Sequence, residues 1–300
     1  MLKQLNFVSE LDKTKDDKKA RIVILIFLGI SLIPSVIFWG VSKWRMNPPE
    51  FENPLGKIDV SKVNLAEKNI YSMTPKIDRW AEESINNLPG EWSIKINFLE
   101  EDFSWQRYST RSMPGASLMK LPVVAAFYHQ VEEGEYNLDE ELSGKTMREL
   151  AEIALSESDN QAWQVLENEI GQAKINSLMF DWGMNDTSIE DNTTTAEDIS
   201  LFFTKLYQGK ILSTKYKDAM LTDLTDTIYE TEIPAGVPEG IRVAHKVGYL
   251  DDVVSDAGII YFPDNPYVLV IMSDQTNFQE AKKKFPEIVN KLYWIIADSI

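Results

Sequence analysis

Pro114-Gly115-Ala116-Ser117-Leu118-Met119-Lys120-Leu121-Pro122 sets a break in the chain directly against an apolar run. Pro and Gly interrupt regular structure, so the pattern predicts a helix that begins at Ser117. Residues three apart on a helix are neighbours, which puts the Lys120 amine beside the Ser117 hydroxyl. An unactivated serine is a weak nucleophile. A neighbouring amine can take its proton once burial or a second cation lowers the lysine pKa. The helix N-terminus adds a field that favours developing negative charge. Taken alone the Ser-x-x-Lys spacing is common, and an N-cap serine beside a solvated lysine reads the same way.

Working outward, Trp92, Ile94, Ile96 and Phe98 alternate with Ser93, Lys95 and Asn97, the period of a half-buried strand. Glu100-Glu101-Asp102 makes a turn, and residues 103–109 return as the second arm of a hairpin. Ahead of it Pro75 opens a helix over 76–88 that Pro89-Gly90 ends. From Ser117 to about Leu224 the pattern is helical, for example over 149–155, over 162–170 closed by Gly171, and over 195–207 closed by Gly209. Thr194-x-x-Glu197 reads as the capping box of the last of these. Strand signals resume at 241–247, 257–262 and 267–272, and an amphipathic helix follows, clearest over 286–297. The predicted fold is α+β. One antiparallel sheet is built from both chain ends with terminal helices on it, an α/β sandwich, and residues 117–224 form an all-α subdomain inserted in it. A ligand belongs in the cleft between the two.

Residues 22–41 are twenty residues without a charge, the length of a helix that crosses about 30 Å of hydrocarbon. The segment runs into Trp39 and Trp44 with no small-residue cleavage site, so it reads as an uncleaved transmembrane anchor. Six Lys/Arg precede it and four lie in residues 42–62, which orients residues 1–21 as a cytoplasmic tail. Residues 42–74, with Pro48, Pro49, Pro54 and Gly56, form a tether, and 75–300 the domain, held outside the cytoplasm at the cell membrane. Residues 1–45 carry a net +4 and the remainder -21 of the chain's -17. A body that acidic repels phosphate backbones, which argues against nucleic acid as a partner. The chain has no cysteine and only His129 and His245, so thiolate and multi-histidine metal centres are excluded. No cofactor is implied.

Two further motifs accompany Ser117 and Lys120. Ser158-Asp159-Asn160 stands in the break between two helices, where Asp159 or Asn160 also suits an N-cap. His245-Lys246-Val247-Gly248 ends a strand near the C-terminus. The three motifs in this order resemble the serine penicillin-recognising superfamily, and within it the class A β-lactamase catalytic domain, whose set is Ser-x-x-Lys, Ser-Asp-Asn and Lys-Thr-Gly. The likeness covers 75–300 and extends to Asn192-Thr193-Thr194-Thr195-Ala196, which is similar to the segment after that family's omega loop. It implies a β-lactamase/transpeptidase-like fold and a serine hydrolase acting on amides, β-lactams or cell-wall peptides. In those roles Ser117 is the nucleophile and Lys120 its proton acceptor. Ser158, with Lys246 nearby, relays a proton to the leaving nitrogen. Asn160 holds the substrate amide and Lys120. The N–H groups of Ser117 and Tyr249 form the oxyanion hole, and Gly248 lets substrate lie against the strand.

The pattern departs from that family in three places. Only 34 positions separate Ser158 from Asn192, with no Glu-x-x-Leu-Asn motif to supply the water-activating glutamate, and Glu190 and Asp191 read as solvated loop charge. Val247 replaces a carboxylate-binding threonine, and Ala257 takes the place of a carboxylate-binding arginine. Three readings follow: a class A β-lactamase-type hydrolase acylated at Ser117, a penicillin-binding or D,D-peptidase-like cell-wall enzyme with slow deacylation, and a non-catalytic surface binding domain. His245 faces away from Lys246 by strand alternation and reads as a core histidine, and His129 as structural. A Ser-His-Asp hydrolase lacks the Gly-x-Ser-x-Gly elbow.

Overall fold

Strands from the two ends of the domain pair along their whole length. The computed structural model describes residues 71–300. The expected tail at 1–21, the membrane segment at 22–41 and all but the last four residues of the tether lie outside the described residues. Among the described residues no helix is long and apolar enough to cross a membrane.

Helix α1 (Thr74–Ser84) leads into the hairpin β1 (Glu91–Phe98) and β2 (Ser104–Arg107). Strand β3 (Met113–Pro114) precedes a 3-10 turn (Ala116–Met119) that runs straight into α2 (Lys120–Glu132). The short pair β4 (Glu141–Leu142) and β5 (Lys145–Thr146) is followed by α3 (Met147–Ser156), α4 (Asn160–Ile170) and α5 (Gln172–Asp181). Strand β6 (Thr193–Thr194) pairs with β3, and α6 (Ala196–Tyr207), α7 (Thr214–Asp223) and the one-turn α8 (Ile233–Gly236) come next. The chain ends with β7 (Val243–Leu250), β8 (Val253–Ile260), β9 (Tyr267–Asp274) and α9 (Phe278–Ala297).

The main sheet has the order β2-β1-β9-β8-β7, antiparallel throughout, with Glu91 opposite Asp274 and Phe98 opposite Tyr267. Its two faces feed two cores. Tyr267, Leu269 and Ile271 pack with Ile77, Trp80, Phe285 and Leu292 of the terminal helices. Val268, Val270 and Met272 pack with the helical block, including Phe202 and Phe203 of α6. With both faces covered, β9 reads as a continuous apolar run rather than an alternation. Helix α2 is apolar all round because it is the axis of the helical block, buried from Lys120 to Tyr128.

β1 is not half-buried as its alternation predicts. α6 covers its polar face, leaving Ser93 inaccessible and Lys95 nearly so. That burial is tolerated because each group finds a partner. Ser93 Oγ donates to the Tyr108 carbonyl at 2.9 Å, Lys95 pairs with Glu197 at 3.1 Å, and Asn97 donates to Thr204 Oγ1 at 3.0 Å.

Three helix starts also shift. The cap of α6 is Thr195, whose hydroxyl accepts from the Asp198 N–H at 3.0 Å, so the expected Thr194–Glu197 box does not form and Glu197 turns to Ser109 and Lys95. A true capping box does stand at Thr146 and Glu149, ahead of α3. α9 starts at Phe278 under Asn277, eight residues ahead of the stretch where its pattern is clearest, and Pro286 lies inside it. α1 begins at Thr74, inside the expected tether, and ends at Ser84 rather than Leu88.

Leu269 is wholly buried in the central strand. Leu269→Ala is expected to cost about 2–5 kcal/mol in urea unfolding with an unchanged m-value.

Candidate active site

Ser117 lies in the 3-10 turn, one residue after Ala116, whose φ of 47° puts a non-glycine residue in the left-handed region. Such strain persists only where the surroundings impose it. Here β3 ties down the approach: the Gly115 N–H donates to the Asn192 carbonyl at 2.8 Å. The turn passes into α2, and the Lys120 amine reaches the Ser117 Oγ at 2.8 Å, as the spacing predicts.

The break between α3 and α4 supplies the facing wall. Asp159 is the N-cap of α4, its carboxylate accepting from the Ala162 N–H at 2.7 Å. Ser158 before it is again left-handed, with φ 57°. The cap and the strained residue together turn the side chains on either side of Asp159 toward Lys120. Its amine lies 2.6 Å from Asn160 Oδ1 and 3.4 Å from Ser158 Oγ. One amine thus joins Ser117, Ser158 and Asn160.

Strand β7 closes the site and is the free edge of the sheet. Gly248 faces the turn that carries Ser117: a Cβ there would lie 3.2 Å from the Gly115 carbonyl and 3.3 Å from Ala116 Cβ. The glycine therefore makes room for the turn carrying Ser117, where it was expected to make room for substrate. Lys246, two residues earlier, shares this face. The His245 N–H points away from β8 to the Leu224 carbonyl at 2.8 Å. By two-residue alternation the Tyr249 N–H leaves the same open edge. Val247 lies directly across from Asp256, on the face opposite Lys246, and Ala257 lies across from Lys246.

Both amines are starved of water. Burial lowers Lys120 to about 8, against the pull of Asp159. Burial, reinforced by the charge of Lys120, lowers Lys246 to about 7, against Asp256. Neither lysine forms an ion pair among the described residues. Each lies against an aromatic ring, Lys120 at 5.6 Å from the Trp163 centroid and Lys246 at 5.7 Å from that of Tyr229. At pH 7 about a tenth of Lys120 is the free amine, which can accept a proton. Lys246 donates to the Val247 carbonyl at 3.5 Å and makes no hydrogen bond to Ser158 among the described residues, so Ser158 faces Lys120 first.

No carboxylate among the described residues hydrogen-bonds Ser117, Lys120, Lys246 or Asn160. Asp191 takes the Ser188 hydroxyl at 2.9 Å, and Glu190 is exposed, as their reading as loop charge expects. His129 lies against Trp182, with ring centres 6.4 Å apart and planes tilted by 55°. The two rings over the amines, Trp163 and Tyr229, are missing from the motif reading, since neither belongs to a recognisable spacing. Tyr229 sits in a connection with no periodicity to place it, while Trp163 reads only as one more apolar helical position.

A model of the beta-lactamase enzyme family matches residues 74–296. No curated protein matches the chain. Among solved structures, PBP-A aligns at 24% identity over 78% of this chain and 96% of its own, with a TM-score of 0.67. A mutant of PBP-A in an acyl-enzyme complex with penicillin G aligns at 24% identity over 79% of this chain and 97% of its own, at 0.64. A β-lactamase from Chitinophaga pinensis aligns at 21% over 75% of this chain and 99% of its own, at 0.67. At such identities the structural likeness is one of fold.

An unfolded lysine keeps its proton up to about 10.5, whereas native Lys246 loses it near 7. Its burial penalty is therefore full below pH 7 and fades as pH rises toward 10.5. Lys246→Met is expected to raise the melting temperature at pH 6 and to do so much less at pH 10, read by calorimetry.

Proposed function

The chain belongs to the beta-lactamase enzyme family, and on that footing we propose that it is a serine hydrolase acylated at Ser117 by β-lactams and related amides. The observation that carries this reading is the Lys120 amine shared by Ser117, Ser158 and Asn160 at 2.8, 3.4 and 2.6 Å. Lys120 in its free form takes the proton of Ser117 as the Oγ–carbon bond forms. The N–H groups of Ser117 and Tyr249 hold the oxyanion, each such donor being worth about 10²–10³ in rate. The proton then passes through Ser158 to the leaving nitrogen as the carbon–nitrogen bond breaks, and an ester on Ser117 remains.

Hydrolysis of that ester needs a base beside a water molecule. The absence of a carboxylate contact to Ser117, Lys120 or Asn160 among the described residues favours slow deacylation, and with it the penicillin-binding reading over efficient drug turnover. Two further features support a cell-wall peptide as the natural amide. The apolar segment at 22–41 with its flanking charges suits a membrane-held domain on the outer side. PBP-A, of the same fold, forms an acyl-enzyme with penicillin G in mutant form.

Incubation with a fluorescent penicillin, followed by intact mass, is expected to give one lasting adduct on the wild type and none on Ser117→Ala. Lys120→Ala should slow labelling by about 10²–10⁴, the worth of a general base, with folding retained by circular dichroism. Rapid turnover of a chromogenic cephalosporin would replace slow deacylation with true β-lactamase activity. No adduct with any acyl donor would leave a ligand-binding domain on this fold. Because Lys120 must be unprotonated, labelling should rise with pH between about 7 and 8.

A further inference from the structure

Behind Lys246, on the opposite face of β7, His245 is completely buried. Its Nδ1 lies 2.9 and 3.0 Å from the two oxygens of Asp256, itself inaccessible. Its Nε2 lies 3.3 Å from Glu230 Oε1 and 3.4 Å from Thr227 Oγ1. Glu230 and Thr227 belong to the connection 225–232, which the acylation chemistry does not use. That connection is a strap across the site. The Ile228 N–H donates to the Ser156 carbonyl at 3.2 Å, beside the Ser158 break, and the Tyr229 ring covers the Lys246 amine. Thr227 Oγ1 donates to Glu230 Oε1 at 3.0 Å and accepts from the Tyr229 N–H at 3.1 Å, so the strap is locked onto the groups that face His245.

We propose that His245, held as an imidazolium between Asp256 and Glu230, is a positioning residue that clamps the 225–232 strap over Lys246, and that alkaline pH opens this clamp and slows acylation. The proposal rests on the acylation of Ser117 argued above. With both ring nitrogens protonated, each donates to a carboxylate. Loss of one proton is borne at Nε2, because the Nδ1 contact to buried Asp256 is the shorter. A bare Nε2 lone pair then faces the Glu230 carboxylate, and the attraction holding the strap becomes a repulsion. A groove of about 660 Å³ beside Glu230, lined also by Thr225, Asp226 and Arg242, gives the strap room to move.

The surrounding charges fit a clamp that is closed at neutral pH. Burial opposes the imidazolium, but Asp256 and Glu230 outweigh it and raise His245 to about 9. Hydrogen bonding to His245 holds Glu230 below its ordinary value despite partial burial. Glu232 lies next to the pair, buried and raised by that burial, with Lys282 of α9 at 3.7 Å and the Tyr249 phenol beside it. On the other face the lowered Lys246 adds little positive charge near pH 8.

Stopped-flow labelling with a fluorescent penicillin between pH 5 and 10.5 tests the clamp. The wild type should lose rate with a midpoint near 9. Glu230→Gln changes a partly exposed side chain and keeps an acceptor, so it should fold, and it should move the fall to lower pH by on the order of one unit. His245→Asn should abolish the fall and label slowly at every pH. An identical alkaline limb in wild type and Glu230→Gln overturns the proposal. If the wild type is never acylated, the functional reading fails separately. The clamp is then judged by NMR titration of His245, where a midpoint unmoved by Glu230→Gln, or strap amide protection unmoved across it, overturns it.

Discussion

Two amines are buried within reach of each other's charge, and neither has a counter-ion in contact among the described residues. Removing an ammonium group from water is costly unless it is paired, and two together add repulsion to desolvation. The resolution is a loss of basicity, with burial lowering Lys120 to about 8 and Lys246 to about 7. A penalty of this kind has to be offset elsewhere, and the packing around it is suited to that. Helix α2 carries Lys120 at the head of a fully buried apolar face, and β7 carries Lys246 on a sheet sandwiched between two cores. On the proposed reading, what weakens the fold locally is what would activate the serine, a trade expected at sites built for chemistry.

The period of a strand organises the rest. Lys246 and Gly248 face the serine, and His245, Val247 and Tyr249 face the other way. The reactive side therefore cannot be moved without disturbing a cluster of buried acids behind it. Backbone groups obey the same alternation, so the edge that leaves the Tyr249 N–H open is fixed by the His245 N–H that reaches Leu224. One eight-residue strand delivers an amine, a close approach, a free donor and an anchor.

Much of this was legible in the residues. Period-two and period-3.6 patterns separate the sheet from the helical block, and the Ser117–Lys120 contact follows from three-residue spacing alone. Burial on both sides was not legible for β1, because Ser93, Lys95 and Asn97 look like a solvent face until α6 is laid over them. The α6 cap moved by one residue for a related reason. Asp198 is recruited by Thr187 at 2.7 Å and by the Asp186 N–H at 2.9 Å, which settles the register from outside the helix. The sequence could show that His245 is adjacent to a lysine, but not that Glu230, fifteen residues away, meets its far nitrogen. Contacts between irregular segments carry no period, and the strap is made only of such contacts.

On the proposed reading, the segment before Asn192 bears on how long an acylated serine would last. It is short and closed on itself. Ser188 and Thr193 exchange backbone hydrogen bonds at 2.9 and 3.1 Å, and Asp191 folds back on Ser188. Asn192, left-handed at φ 50°, brings the chain to Gly115 through its own carbonyl. Ile189, not a carboxylate, is the residue the turn sends into the core. A loop that spends its hydrogen bonds on its own closure and its apolar side chain on the core leaves its acids, Glu190 and Asp191, in solvent. In the proposed mechanism the free amine of Lys120 returns once its proton has passed to the leaving nitrogen, so a base survives acylation, but among the described residues no acid pairs with it to hold a water on the other side of the ester. On the proposed reading, acylation and release would have separate structural causes, a crowded pair of amines for the first and a short, self-satisfied turn for the second.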